Sequence, residues 1–98
     1  MTVTSGRHQV LTDGSGKWFN IDKAEKFDEE AGIGIRGSII SETLYRTAGG
    51  KWILHRYLPA SIDSWTTVSS KEAAAWILLN DCPIHPDLDD DINELEIP

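Results

Sequence analysis

Apolar and polar positions alternate most clearly in KWILHRYL, residues 51–58, where Trp52, Leu54, Arg56 and Leu58 share one side of an extended chain and Ile53, His55 and Tyr57 share the other. Neither side is polar throughout. Pro59 removes a backbone donor and ends the strand. Upstream, SIISETLYRT is rich in β-branched and aromatic residues and predicts a partner strand, with a break near Ser41-Glu42; Ala48-Gly49-Gly50 folds the two together. WTTV, residues 65–68, predicts the next strand. Near the N-terminus, RHQVL and KWFNI flank TDGSG, whose aspartate and glycines tolerate the positive φ of a hairpin loop.

The pattern changes period after Val68. Ser69 and Glu72 have the spacing of a capping box, and Ala73, Trp76, Ile77 and Asn80 then fall on one helical face. Ala74, Ala75, Leu78 and Leu79 widen that face, so the helix is apolar over most of its circumference. Asn80 suits a left-handed helix end, and Pro83 prevents resumption. DKAEKFDEEA is ambiguous: Asp22 and Glu25 fit a capping box, but only Ala24, Phe27 and Ala31 form a stripe, leaving a short helix and an irregular acidic loop both open. DDDINELEIP could add one helical turn. The expected fold is α+β: a small antiparallel meander of four to five strands, one main helix over about residues 70–80 packed on one face, and an acidic C-terminal tail. Residues 1–86 form the expected single domain and residues 87–98 the tail.

Charge sharpens that division. The net charge is −7, yet Asp87, Asp89, Asp90, Asp91, Glu94 and Glu96 lie in a final segment with no basic residue. Removing those six leaves ten acids against nine Lys and Arg, a net −1 for residues 1–86. Phosphate neutralisation needs a cationic face, so direct nucleic-acid binding is disfavoured and a protein partner with a basic surface is the better expectation. No window approaches the roughly 18 apolar residues of a membrane span, and no export signal is recognisable. Cys82 is the only cysteine, which excludes an intramolecular disulfide and fits a reducing, cytoplasmic setting.

Motifs with chemistry fail on context. Gly32, Gly34 and Gly37 have the spacing of a dinucleotide-binding loop, but an acidic run precedes them where a strand belongs and a β-type run follows where a helix belongs. DGSGK lacks the first glycine and final hydroxyl of a phosphate loop. Asp87, Asp89 and Asp91 begin like a calcium loop, but Ile92 and Pro98 stand where glycine and a bidentate glutamate are needed. Cys82 and His85 make half a zinc site, and the only further nitrogen ligands of that kind, His8 and His55, are distant in sequence. No nucleophile elbow or catalytic carboxylate pair stands out, so no catalytic residue, metal or cofactor is expected.

The remaining feature is aromatic. With Trp52 and Leu54 turned to the helix, Tyr45, His55 and Tyr57 lie on the other side, near Arg46 or Arg56, as candidate anchors for a partner. The alternative is a second layer of core beneath the N-terminal hairpin or the C-terminal tail.

KWFNIDKAEKFDEE, LYRTAGGKWILH and EAAAWILLN together resemble a family of small uncharacterised bacterial proteins found on chromosomes, plasmids and phages, over roughly residues 17–80. RYLPASIDS departs from the tryptophan- and glutamine-rich turn usual there, and the acidic tail differs too. The resemblance implies a fold and a bacterial or mobile-element origin, not a reaction.

These observations favour a small non-catalytic protein-binding module, in its narrowest form a phage or mobile-element inhibitor of a host nucleic-acid-handling complex, anti-CRISPR-like, with carboxylates mimicking phosphates. Asp87, Asp89, Asp90, Asp91, Glu94 and Glu96 would be the mimicking charges; Tyr45, His55 and Tyr57 the anchors. Two rivals remain: a small enzyme or ligand-binding protein using His55 with Tyr57 or Asp63 in a cleft beside the sheet, and a structural homodimer formed through the aromatic face.

Overall fold

A four-stranded antiparallel sheet, ordered β3-β4-β5-β6, divides the protein into two cores. The computed structural model describes residues 7–28, 41–57 and 63–98. Its strands are β3 (Glu25–Asp28), β4 (Ser41–Arg46), β5 (Trp52–Tyr57) and β6 (Ser64–Val68), each antiparallel to the next. The α+β class with a small antiparallel sheet is as expected, but of the four to five strands foreseen for one meander the two N-terminal ones form a sheet of their own, and β3 takes a place in the main sheet. The glycine motif at 32–37 and the Pro59 strand end lie outside the described residues.

Register assigns the faces. Leu44 lies opposite Leu54, and Trp52 lies between Arg46 and Val68, so these side chains turn together to one side. There they meet helix α1 (Ser70–Leu79), which contributes Ala73, Ala74, Trp76 and Ile77 to the same buried cluster. On the other side Tyr45 pairs with Ile53 and His55 with Trp65. That face is covered by a separate two-stranded hairpin, β1 (His8–Val10) with β2 (Trp18–Asn20), which brings Leu11 and Phe19 onto Tyr45, Ile53 and Trp65.

The hairpin is also stitched to the sheet edge. The Thr12 amide donates to the Trp65 carbonyl at 2.8 Å, and the Trp65 amide donates to the Thr12 hydroxyl at 2.8 Å. An unpaired edge strand would leave such backbone groups open to another chain, and here Thr12 occupies two of them on β6. Asp13 accepts from the Ser15 amide at 2.9 Å, and Gly14 and Gly16 take positive φ of 84° and 75°, which closes the loop as the sequence leads one to expect.

Helix α1 begins as its sequence predicts. The Glu72 amide donates to the Ser69 hydroxyl at 3.0 Å and the Ser69 amide to the Glu72 carboxylate at 3.1 Å, a complete capping box. Its end corrects the expectation by one residue: Asn80 has φ −99°, and Asp81 takes the left-handed conformation at φ 53°. The Cys82 amide then donates to the Ile77 carbonyl and the Asp81 amide to that of Leu78, a Schellman closure. Asn80 stays buried, its side-chain amide donating to the Trp76 carbonyl at 2.9 Å.

Three further expectations change. The described part of residues 22–31 supplies strand β3 at Glu25–Asp28, not a helix, preceded by a single 3-10 turn at Ile21–Lys23 capped by Asn20. Phe27 is the reason: its strand position lies opposite Leu44, and it packs on the helix-side core. From Ser41 onward β4 pairs without a break, and the part of the run before Ser41 lies outside the described residues. The acidic terminus is not a loose tail: Pro86–Leu88 forms a 3-10 turn and α2 spans Asp89–Glu94. Leu88 is fully buried, and Ile92 and Leu95 pack on the same cluster, which makes this segment part of the domain. Among the described residues, no helix is long and apolar enough to cross a membrane.

Candidate interaction surface

Leu88, Ile92 and Leu95 follow helical spacing, so they line one side of the C-terminal segment and fix its orientation against α1 and the sheet. Of the residues between them, Asp89, Asp90 and Glu94 are exposed, while Asp91, three residues from Leu88 and four from Leu95, flanks the packed side and is half-buried. Asp89, Asp90 and Asp91 occupy the first turn, where carboxylates interact favourably with the helix dipole. Burial of three apolar side chains thus determines where four carboxylates point.

The six acids do not act alike. Asp87 accepts from Arg46 Nε at 2.9 Å and pairs with Arg46 Nη2, tying the 3-10 turn to β4. Glu25 lies 3.7 Å from the same guanidinium, and His85 Nδ1 accepts the Asp87 amide at 3.0 Å, capping the turn. Glu94 pairs with Lys71 of α1 at 3.2 Å. Asp89, Asp90, Asp91 and Glu96 form no ion pair among the described residues. Two of the six therefore tie the segment to β4 and α1; of the other four, Asp89, Asp90 and Glu96 are exposed and Asp91 is half-buried.

The aromatic trio is not one exposed face. Tyr45 is only 8% exposed, with ring centroids 5.8 Å from Phe19 and 5.6 Å from Trp65, beneath the hairpin. A partner could reach it only by displacing β1 and β2, which removes Tyr45 as a surface anchor. His55 is half-buried, its ring stacked on Trp65 at 3.7 Å and 7°, with Nε2 2.9 Å from Asp63 Oδ2. Tyr57, at the end of β5, is exposed. Of the three, only Tyr57 presents a large open surface.

Cys82 and His85 are engaged separately: the thiol donates to the Asp28 carbonyl at 3.3 Å, while His85 caps the 3-10 turn and packs edge-on to Trp52. Among the described residues, no group of three or more His, Cys, Asp or Glu is placed to hold a metal ion. Asp87, Asp89 and Asp91 lie on helical turns and not on a calcium-type loop.

Sequence reasoning missed Glu42. Its carboxylate accepts from Arg56 Nε at 2.9 Å and from the Trp76 indole at 3.2 Å, joining β4, β5 and α1 on the helix side. The available signal was register: Glu42 lies opposite Arg56 once β4 is extended back to Ser41. No protein-family model matches the chain, and neither does any curated protein or solved structure.

Proposed function

We propose that this protein is a small non-catalytic binding module that docks its C-terminal acidic helix on a cationic surface of a protein partner. The observation that carries the reading is the pinning of α2 by Leu88, Ile92 and Leu95, which holds Asp89, Asp90 and Asp91 together on an ordered turn. A disordered acidic tail must be ordered on binding; carboxylates on a packed helix avoid most of that entropic cost. In its narrower form, the module is a mobile-element inhibitor whose carboxylates take the place of phosphates in a host complex. Only the charge pattern supports that form.

The test is capture of the partner from the native cell by the tagged wild-type protein and by the variant Asp89→Asn/Asp90→Asn/Asp91→Asn. Retention of a basic protein by the wild type, reduced in the variant and reduced by added salt, supports the reading. Equal retention by both at low salt contradicts it.

His55 and Asp63 give the enzyme reading one specific observation, because a carboxylate-oriented imidazole is the unit from which acid–base catalysis is built. Among the described residues, however, no hydroxyl or thiol bonds to that ring, and its stack on Trp65 accounts for its position. A His55→Ala variant that keeps partner capture assigns the pair to architecture; loss of capture with an unchanged fold makes it part of the interface.

A further inference from the structure

A cavity of about 350 Å3 lies between the N-terminal hairpin and the sheet, on the side away from α1 and α2. Its apolar wall is Leu11, Phe19 and Ile53, all buried members of the hairpin-side core, with the half-exposed indole of Trp18 beside them. Its polar wall is Lys17, Lys51, Thr47 and Thr67. The volume is at the small end of the range in which proteins bind organic ligands, about 300–1,000 Å3.

The two lysines give the cavity its chemical direction. The chain carries ten acids and nine cations before Asp87, and several of those cations are already paired: Arg7 with Asp22, Lys26 with Asp28, Arg46 with Asp87, Arg56 with Glu42 and Lys71 with Glu94. Of the other described cations, Lys17, Lys23 and Lys51 form no ion pair, Lys17 acting on the Asp13 carboxylate only at longer range, and Lys17 and Lys51 both line this one cavity. They come from different elements, Lys17 from the approach to β2 and Lys51 from the turn before β5, and only the packing of the hairpin on the sheet brings them together. Two cations beside an apolar wall form a complement to a molecule that is greasy at one end and anionic at the other. Lys51 also reaches the lining of a second depression on the helix side, which makes Lys17 the more specific of the pair.

We infer that the cavity between hairpin and sheet binds a small amphipathic carboxylate, its apolar part against Leu11, Phe19 and Ile53 and its charge between Lys17 and Lys51. The site is on the opposite side of the sheet from the acidic helix, so it stands or falls independently of the partner-binding reading.

The probe is octanoate, compared with octanol, titrated into isotopically labelled full-length protein and followed by the amide resonances of Leu11, Phe19, Lys51 and Ile53. The expected result is saturable shifts at those amides in the millimolar range or below. Octanol should bind about fivefold more weakly, and Lys17→Gln/Lys51→Gln should weaken octanoate about fivefold without affecting octanol, as expected for two exposed charge contacts. Lys71→Gln, on the far side, should change neither. Non-saturating shifts, equal affinity for octanoate and octanol, or an unchanged octanoate affinity in the double variant would each overturn the inference.

Discussion

Glu42 is the residue on which the helix-side layer converges, because one carboxylate receives the Trp76 indole of α1 and the Arg56 guanidinium of β5. Glu42→Ala withdraws that acceptor from both donors and should cost about 1–3 kcal/mol in urea unfolding, whereas Glu42→Gln keeps an acceptor and should cost less. Asp13 supplies a pH-dependent counterpart on the hairpin. Hydrogen bonds from the Ser15 hydroxyl and amide hold its carboxyl below the ordinary value for aspartate. A carboxyl depressed in the folded state contributes stability that is present above its unfolded pKa and is lost as pH falls through its folded one. Following the Asp13 carboxyl carbon by NMR should therefore give a midpoint below that of an unstructured aspartate, and Ser15→Ala should move it upward. Leu88 is the residue whose role the sequence concealed. It sits within PDLDD, where composition says solvent, yet it is fully buried. Leu88→Ala should cost about 2–4 kcal/mol, the range for large-to-small changes in a packed core, where an exposed tail residue would cost nearly nothing.

Among elements, α1 was the most legible because its start signal is local: Ser69 and Glu72 satisfy each other's backbone amides without tertiary help. Ser69→Ala should lower stability by about 1 kcal/mol. Its end was legible only to within a residue, since Asn80 and Asp81 both tolerate left-handed geometry and burial of Asn80 decides between them. Replacing Asp81 with glycine relieves the left-handed strain at some entropic cost, for a net gain of about 0.5 kcal/mol. β5 was legible from alternation. β3 was not, because four residues with one large apolar side chain, Phe27, carry too little periodicity, and pairing with β4 supplies what the local pattern lacks. The helical turn in DDDINELEIP was foreseen, but not its packing, because the stripe of Leu88, Ile92 and Leu95 is interleaved with four acids and has meaning only against a core to receive it.

At the scale of the whole molecule, the sheet separates two surfaces of opposite character. Helices α1 and α2 cover one face and carry the unpaired carboxylates; the hairpin covers the other and brings Lys17 and Lys51 to an apolar cavity. The candidate anchors were only partly legible for this reason. Strand alternation correctly separates Trp52 and Leu54 from Ile53, His55 and Tyr57, but it cannot say what covers the second side, and Tyr45 lies under a hairpin placed there by Leu11 and Phe19. The acids were legible as a cluster, while their rigidity was not. The proposed docking depends on that rigidity, because it needs carboxylates held in position by a packed segment. Urea unfolding of the full chain against a chain ending at His85 tests it most directly. Removal of Leu88, Ile92 and Leu95 should expose the Leu44–Trp52–Ile77 core and lower the unfolding midpoint sharply or abolish the cooperative transition. An unchanged midpoint and slope would show the acidic segment to be an appendage, and the account of a preformed binding surface would be wrong.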